Sequence, residues 1–230
     1  MTEYNIRNLE WGAEALPEER NRVLRNTYAL LALSMVPTVA GAWLGLYLPV
    51  MRALHGGLGL LVFLGGAFGF MFAIEKNKNR AAGVPILLAF TFFMGLMLSR
   101  IIGAVLGLTN GAQLIMTAMG GTAGVFGVMA ILAGAIKRDL SGMGTWLFAG
   151  MLVVFFGCII NVFVGSSTGF LVLSTLCIAV FSLDMLYDIK RIIDGGETNY
   201  ISATLALYLD IYNVFQALLS LLGIFGGSSD

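Results

Sequence analysis

"ALYLDIYNVFQALLS" (residues 206–220) is an apolar run with one carboxylate, Asp210, in its middle. At helical spacing Asp210, Asn213, Gln216 and Ser220 fall on a single stripe. Turned towards lipid, that stripe would leave polar groups with no partner. It must face other protein, so the segment reads as a central helix with others around it. The stripe is either interhelical hydrogen-bond glue or the lining of a water-filled ion path.

The rest of the chain agrees with a membrane setting. Of 230 residues, 58% are hydrophobic and only 11% charged, against roughly 25% charged in soluble domains. A crossing helix takes about 20 apolar residues, and charges and turn residues divide the chain at that scale. The spans read as Thr27–Leu48, Ala53–Ile74, Ala81–Ser99, Ala112–Ile136, Thr145–Val164, Gly169–Ile189 and Ser202–Phe225. "LGLTNGAQ" (105–112) and "GSSTG" (165–169) split the long uncharged stretches. The expected fold is an all-α integral membrane protein with seven transmembrane helices and the last one central. Residues 1–26 form a tail, 27–225 the membrane domain and 226–230 a short C-terminal tail.

Basic residues set the orientation. Eleven of the 13 Lys and Arg fall before the first span or in alternate loops, leaving only Arg52 and Arg100 on the other side. The positive-inside rule then puts the N-terminus in the cytoplasm and the C-terminus outside. The first 20 residues are mixed in charge, with no apolar core, and do not read as a cleavable signal.

Glycine is abundant, with 30 residues. Gly41/Gly45, Gly65/Gly69 and Gly120/Gly124 have the four-residue spacing that lets helices approach closely. Pro37 lies inside the first span and should kink it. Cys158 and Cys177 sit in apolar runs and read as packing thiols.

The remaining charges carry the chemistry. Asp184 and Asp188 are four apart on the sixth span and share a face, with Arg191 one turn further on. A short loop, "RIIDGGETNY" (191–200), leads to the seventh span, so Asp188 and Asp210 should meet. Two carboxylates facing each other in a low dielectric cannot both ionise comfortably. They should share a proton and titrate as a pair. Arg100 either snorkels to the outer interface or turns inward as a charge partner for an acid.

Several classes of function are excluded. The single histidine, His55, falls in an outer loop, so neither a histidine metal cluster nor a Ser/His/Asp set can be built. There is no phosphate-binding or dinucleotide fingerprint, hence no cofactor. Zero net charge offers no footprint for nucleic acid. One enzyme class stays open as a minor alternative: Tyr187–Asp188 resembles the first motif of intramembrane aspartyl proteases, although the second, Gly-x-Gly-Asp, is missing because "LYL" precedes Asp210. The chain does not read as an enzyme.

"LRNTY" (24–28), "AFTFFMGLML" (89–98), "TAMGGTAGVFG" (117–127), "KRDLSGMGTWLFAGM" (137–151) and above all residues 184–224 resemble the Bax inhibitor-1 family. "GGETNYI" (195–201) and "LRNTY" are similar to the bacterial subgroup that includes the modulator of the FtsH protease. The resemblance implies a seven-helix fold with the last helix in the middle, in a bacterial inner membrane. It also implies a pH-sensitive calcium leak, gated by aspartates at the positions of Asp188 and Asp210. Calcium prefers oxygen ligands, which this pair could offer transiently when ionised. The subgroup implies a second role, restraint of FtsH by a chain that it grips at the N-terminal tail. Two departures stand out. The family's basic latch has no clear counterpart among Lys76, Lys78 and Arg80, and Ser99–Arg100 stands where the family continues with proline. A fixed positive charge there would oppose cation entry.

Overall fold

The computed structural model describes residues 17–54 and 56–226. His55 and most of the expected N-terminal tail lie outside the described residues, as do residues 227–230. The elements are α1 (Pro17–Tyr47), α2 (Pro49–Ala53), α3 (Gly56–Asn77), α4 (Gly83–Leu106), α5 (Gly111–Ala135), α6 (Met143–Val164), α7 (Ser167–Ile193) and α8 (Tyr200–Gly226). All but α2 are long and apolar enough to cross a bilayer, which makes seven candidate spans.

The first span begins earlier than the apolar pattern suggests, at Pro17 rather than near Thr27. Proline suits a first helical turn, and Glu18 and Glu19 complement the helix dipole there. With 31 residues, α1 is about 46 Å long and exceeds a hydrocarbon core of about 30 Å. The surplus carries Arg20, Arg22 and Arg25 at the end of the bundle that also bears the basic loops. The helix runs unbroken through Pro37.

Local chemistry stops the helices where the turn residues predict. Gly165 ends α6 in the left-handed region at φ 68°, and the Ser166 hydroxyl caps α7 by accepting from Gly169 N–H at 3.0 Å. Asn199 caps α8, its Oδ1 accepting from the amides of Ile201 and Ser202 at 2.9 and 3.1 Å. Its Nδ2 donates to the Lys78 carbonyl and to Asn79 Oδ1, tying the α7–α8 loop to the α3–α4 loop. Asn199→Ala removes all four bonds and should destabilise the protein by about 1–2 kcal/mol. Thermal unfolding in mild detergent checks this, and Asn199→Asp should restore the cap alone.

The last helix is central, packing against α1, α3, α4, α5 and α7. One of its faces is pinned by tyrosines. Tyr208 Oη lies 2.9 Å from Thr38 Oγ1 on α1, and Tyr212 Oη donates to the Met94 carbonyl on α4 at 3.3 Å. Leu87, Phe90, Met185, Ile189 and Leu207 complete the buried core around it.

Glycine spacing does two different things. At Gly41 and Gly95, α1 and α4 approach until an added Cβ would stand 2.2 Å from the Phe92 carbonyl oxygen and 2.1 Å from that of Thr38. Gly45 lies against Ser99 in the same seam. Gly65, Gly69, Gly120 and Gly124 have the same spacing, yet an added Cβ at any of them meets nothing within 4 Å. Those two pairs do not hold this bundle together.

Candidate functional site: a buried acidic cluster

Asp184, Asp188 and Asp210 come together between α7 and α8. One carboxylate oxygen from each lies within 4.8 Å of the other two. The helical repeat puts Asp184 and Asp188 on one face of α7, and α8 brings Asp210 to them from near its middle. Asp210 is 2% exposed and Asp184 9%, while Asp188 is half-buried. The Asp184 and Asp210 carboxylates face each other across the α7–α8 contact, and Asp210 Oδ2 is buried with no hydrogen-bond partner.

The spacing argument thus brought the expected pair together, with Asp184 as a full member of the cluster. The bases nearest in sequence are engaged elsewhere. Lys190 pairs with Asp194, and Arg191 lies 3.6 Å from Glu197. Arg191 is still near enough to act electrostatically on Asp188. Among the described residues no base forms an ion pair with any of the three acids. The cluster is therefore a concentration of potential negative charge with no ion-paired counter-charge among the described residues. Protons or cations are what can neutralise it. Its all-oxygen donor set suits a hard divalent ion, and the unpartnered Asp210 oxygen leaves one acceptor free.

The rest of the polar stripe is less uniform than its spacing implies. Asn213 Nδ2 donates to the Leu209 carbonyl and the Ser220 hydroxyl to the Gln216 carbonyl, so both side chains bond their own helix. Gln216 is exposed on a cavity of about 710 Å³ that Arg100 also lines. Arg100 is exposed and forms no ion pair among the described residues. The inward pairing with an acid, one of its two expected arrangements, is not formed.

Sequence reasoning did not single out Tyr208 and Tyr212. They sit two residues either side of Asp210 and fasten the opposite face of α8 to α1 and α4. The available signal was their four-residue spacing on the same helix.

Comparison with known proteins agrees with this architecture. Residues 20–227 match the family described as "Inhibitor of apoptosis-promoting Bax1". An uncharacterized membrane protein of Vibrio cholerae is 37% identical over 207 residues, covering 90% of this chain and 91% of the relative. The modulator of FtsH protease YccA of Escherichia coli K12 is 38% identical over 203 residues, covering 88% and 90%. The protein named inner membrane protein YccA in E. coli O6:H1 matches to the same extent. Matches of this reach, to the family and to its members alike, show that the chain belongs to the Bax inhibitor-1 family of multi-pass membrane proteins.

Proposed function

We propose that the chain provides a pH-dependent path for cations, calcium among them, across a bacterial inner membrane, with Asp184, Asp188 and Asp210 as its gate. The observation that carries this reading is the meeting of three carboxylates within 4.8 Å in the bundle interior, with no base among the described residues paired to them. Three such groups cannot all be ionised while they stay together. At acidic pH they hold protons, and a hydrogen bond between carboxyls keeps α7 against α8. As pH rises the protons leave, like charges repel, and α7 separates from the central helix. The ionised cluster then attracts a cation, which relieves the repulsion as it passes. The basic loops face the cytoplasm in this reading, by the distribution of Lys and Arg. No step requires catalysis.

Calcium entry into dye-loaded proteoliposomes tests the proposal. Flux should exceed that of empty liposomes and rise from acidic to mildly alkaline pH. Flux equal to that of empty liposomes at both pH values would make the acids structural.

A second reading rests on the name of the E. coli relative, a modulator of FtsH protease. Here the chain binds the membrane-bound protease as a competing substrate, offering residues 1–26 as the handle. Because α1 starts at Pro17, a clean test deletes only residues 1–16. That deletion should abolish co-purification with FtsH and leave calcium flux unchanged. Retained co-purification would rule out the tail as the handle.

A further inference from the structure

The cavity beside Arg100 has no part in the acidic gate, and its chemistry points to a different ligand. It is lined by Gly45 and Leu46 of α1, Met51 of α2, Met97 and Arg100 of α4, and Gln216 of α8. These segments lie at the end of the bundle away from the basic loops. We propose that this cavity is a binding site for the headgroup of an anionic phospholipid, with Arg100 holding the phosphate and Gln216 assisting.

Four observations carry the proposal. The first is charge. Arg100 sits in the second half of α4, and among the described residues no carboxylate lies in the segments that form this end of the bundle. An arginine without an internal counter-charge offers a planar fork suited to a phosphate. The second is room. A volume of about 710 Å³ is enough for a phosphate diester and the start of its glycerol chain. The guanidinium leans towards α3, where Gly59 leaves it space: a Cβ there would stand 2.8 Å from Arg100 Nη1.

The third observation is depth. Trp43 and Tyr47 project from the last turns of α1, 61% and 68% exposed, with ring centroids 5.3 Å apart. Exposed Trp and Tyr at a helix end mark the headgroup level of a membrane. Gly45 and Leu46 lie between these rings in sequence and line the cavity, so the cavity is at the depth of lipid phosphates. The fourth is the wall. Leu46, Met51 and Met97 give the cavity an apolar side, and Trp43, Val50 and Leu58 continue an exposed apolar surface around it. A free phosphate would gain nothing from that surface, whereas acyl chains would cover it. An anion here would also neutralise the fixed positive charge on this side of the membrane.

The test uses full-length protein whose only tryptophan is Trp43, made with Trp11→Phe and Trp146→Phe, in a neutral detergent. Phosphatidylglycerol with brominated chains should quench Trp43 at about tenfold lower concentration than brominated phosphatidylcholine does. Arg100→Gln should abolish that preference, Arg100→Lys should keep most of it, and Gln216→Ala should weaken it about threefold. Equal quenching by the two lipids in the parent, or an unchanged preference in Arg100→Gln, overturns the proposal. So does competition by inorganic phosphate at the lipid's own concentration, which would assign the cavity to a free anion. If Arg100→Gln does not elute as a folded protein, Gln216→Ala and Arg100→Lys decide the question, because both keep a positive charge.

Discussion

Asp210→Asn should flatten the pH response of calcium flux in proteoliposomes. The substituted protein is expected to stay near its acidic-pH rate at mildly alkaline pH, where the parent conducts. Asparagine fills the same space, cannot ionise, and can donate hydrogen bonds to Asp184 and Asp188. The repulsion that parts α7 from α8 is then lost. For unit charges no more than 4.8 Å apart, an effective dielectric near 20 gives roughly 3 kcal/mol or more per pair. Asp210 faces two such partners, and losing even one of these repulsions shifts a closed-to-open equilibrium by on the order of a hundredfold. Asp184→Asn should behave differently. It removes one partner of Asp210 but leaves the Asp188–Asp210 pair, so it should move the pH at which flux rises and keep the response itself. The pair Asp188→Asn and Asp210→Asn should remove both flux and its pH dependence. A parental pH response in that double variant would end the gate reading. Size-exclusion elution of each variant separates a lost gate from a lost fold.

The sequence carried the spans and the acid pair for a shared reason. Charges and turn residues are costly inside a bilayer, so their spacing reports where the chain leaves it. That is why "GSSTG" (165–169) separates α6 from α7, and why Asp188 could be paired with Asp210 across a short loop. The start of α1 escaped the same logic, because residues 17–26 are mostly polar yet helical. Asp184 follows Asp188 into the cluster because their four-residue spacing puts both on one face of α7. Asn213 and Ser220 show what spacing on one helix leaves open. Their spacing matched a lining stripe, but short polar side chains also satisfy themselves on their own backbone.

Glycine supplies the largest expected effect on stability, and one whose sign differs between identical patterns. Gly95→Ala and Gly41→Ala each place a methyl group against a backbone carbonyl oxygen, at 2.1 and 2.2 Å. Neither obstacle is a side chain that can turn away, so α1 and α4 must move apart. Overpacking of this kind costs about 1–3 kcal/mol per site. The separation also pulls Thr38 from Tyr208 Oη and so loosens the central helix. The two substitutions share one seam, so their effects should be less than additive once the helices have parted. Gly65→Ala and Gly120→Ala serve as matched controls, since their Cβ atoms enter open space. Alanine is the better helix former by about 0.5–1 kcal/mol, so these two should be neutral or mildly stabilising. Thermal midpoints in mild detergent should therefore fall for Gly41→Ala and Gly95→Ala and hold or rise for the controls. An unchanged midpoint in Gly95→Ala would contradict the close approach of α1 and α4. A midpoint lowered in Gly120→Ala would mean that something other than this chain packs on α5, and the small-residue spacing there would then have a partner to explain it.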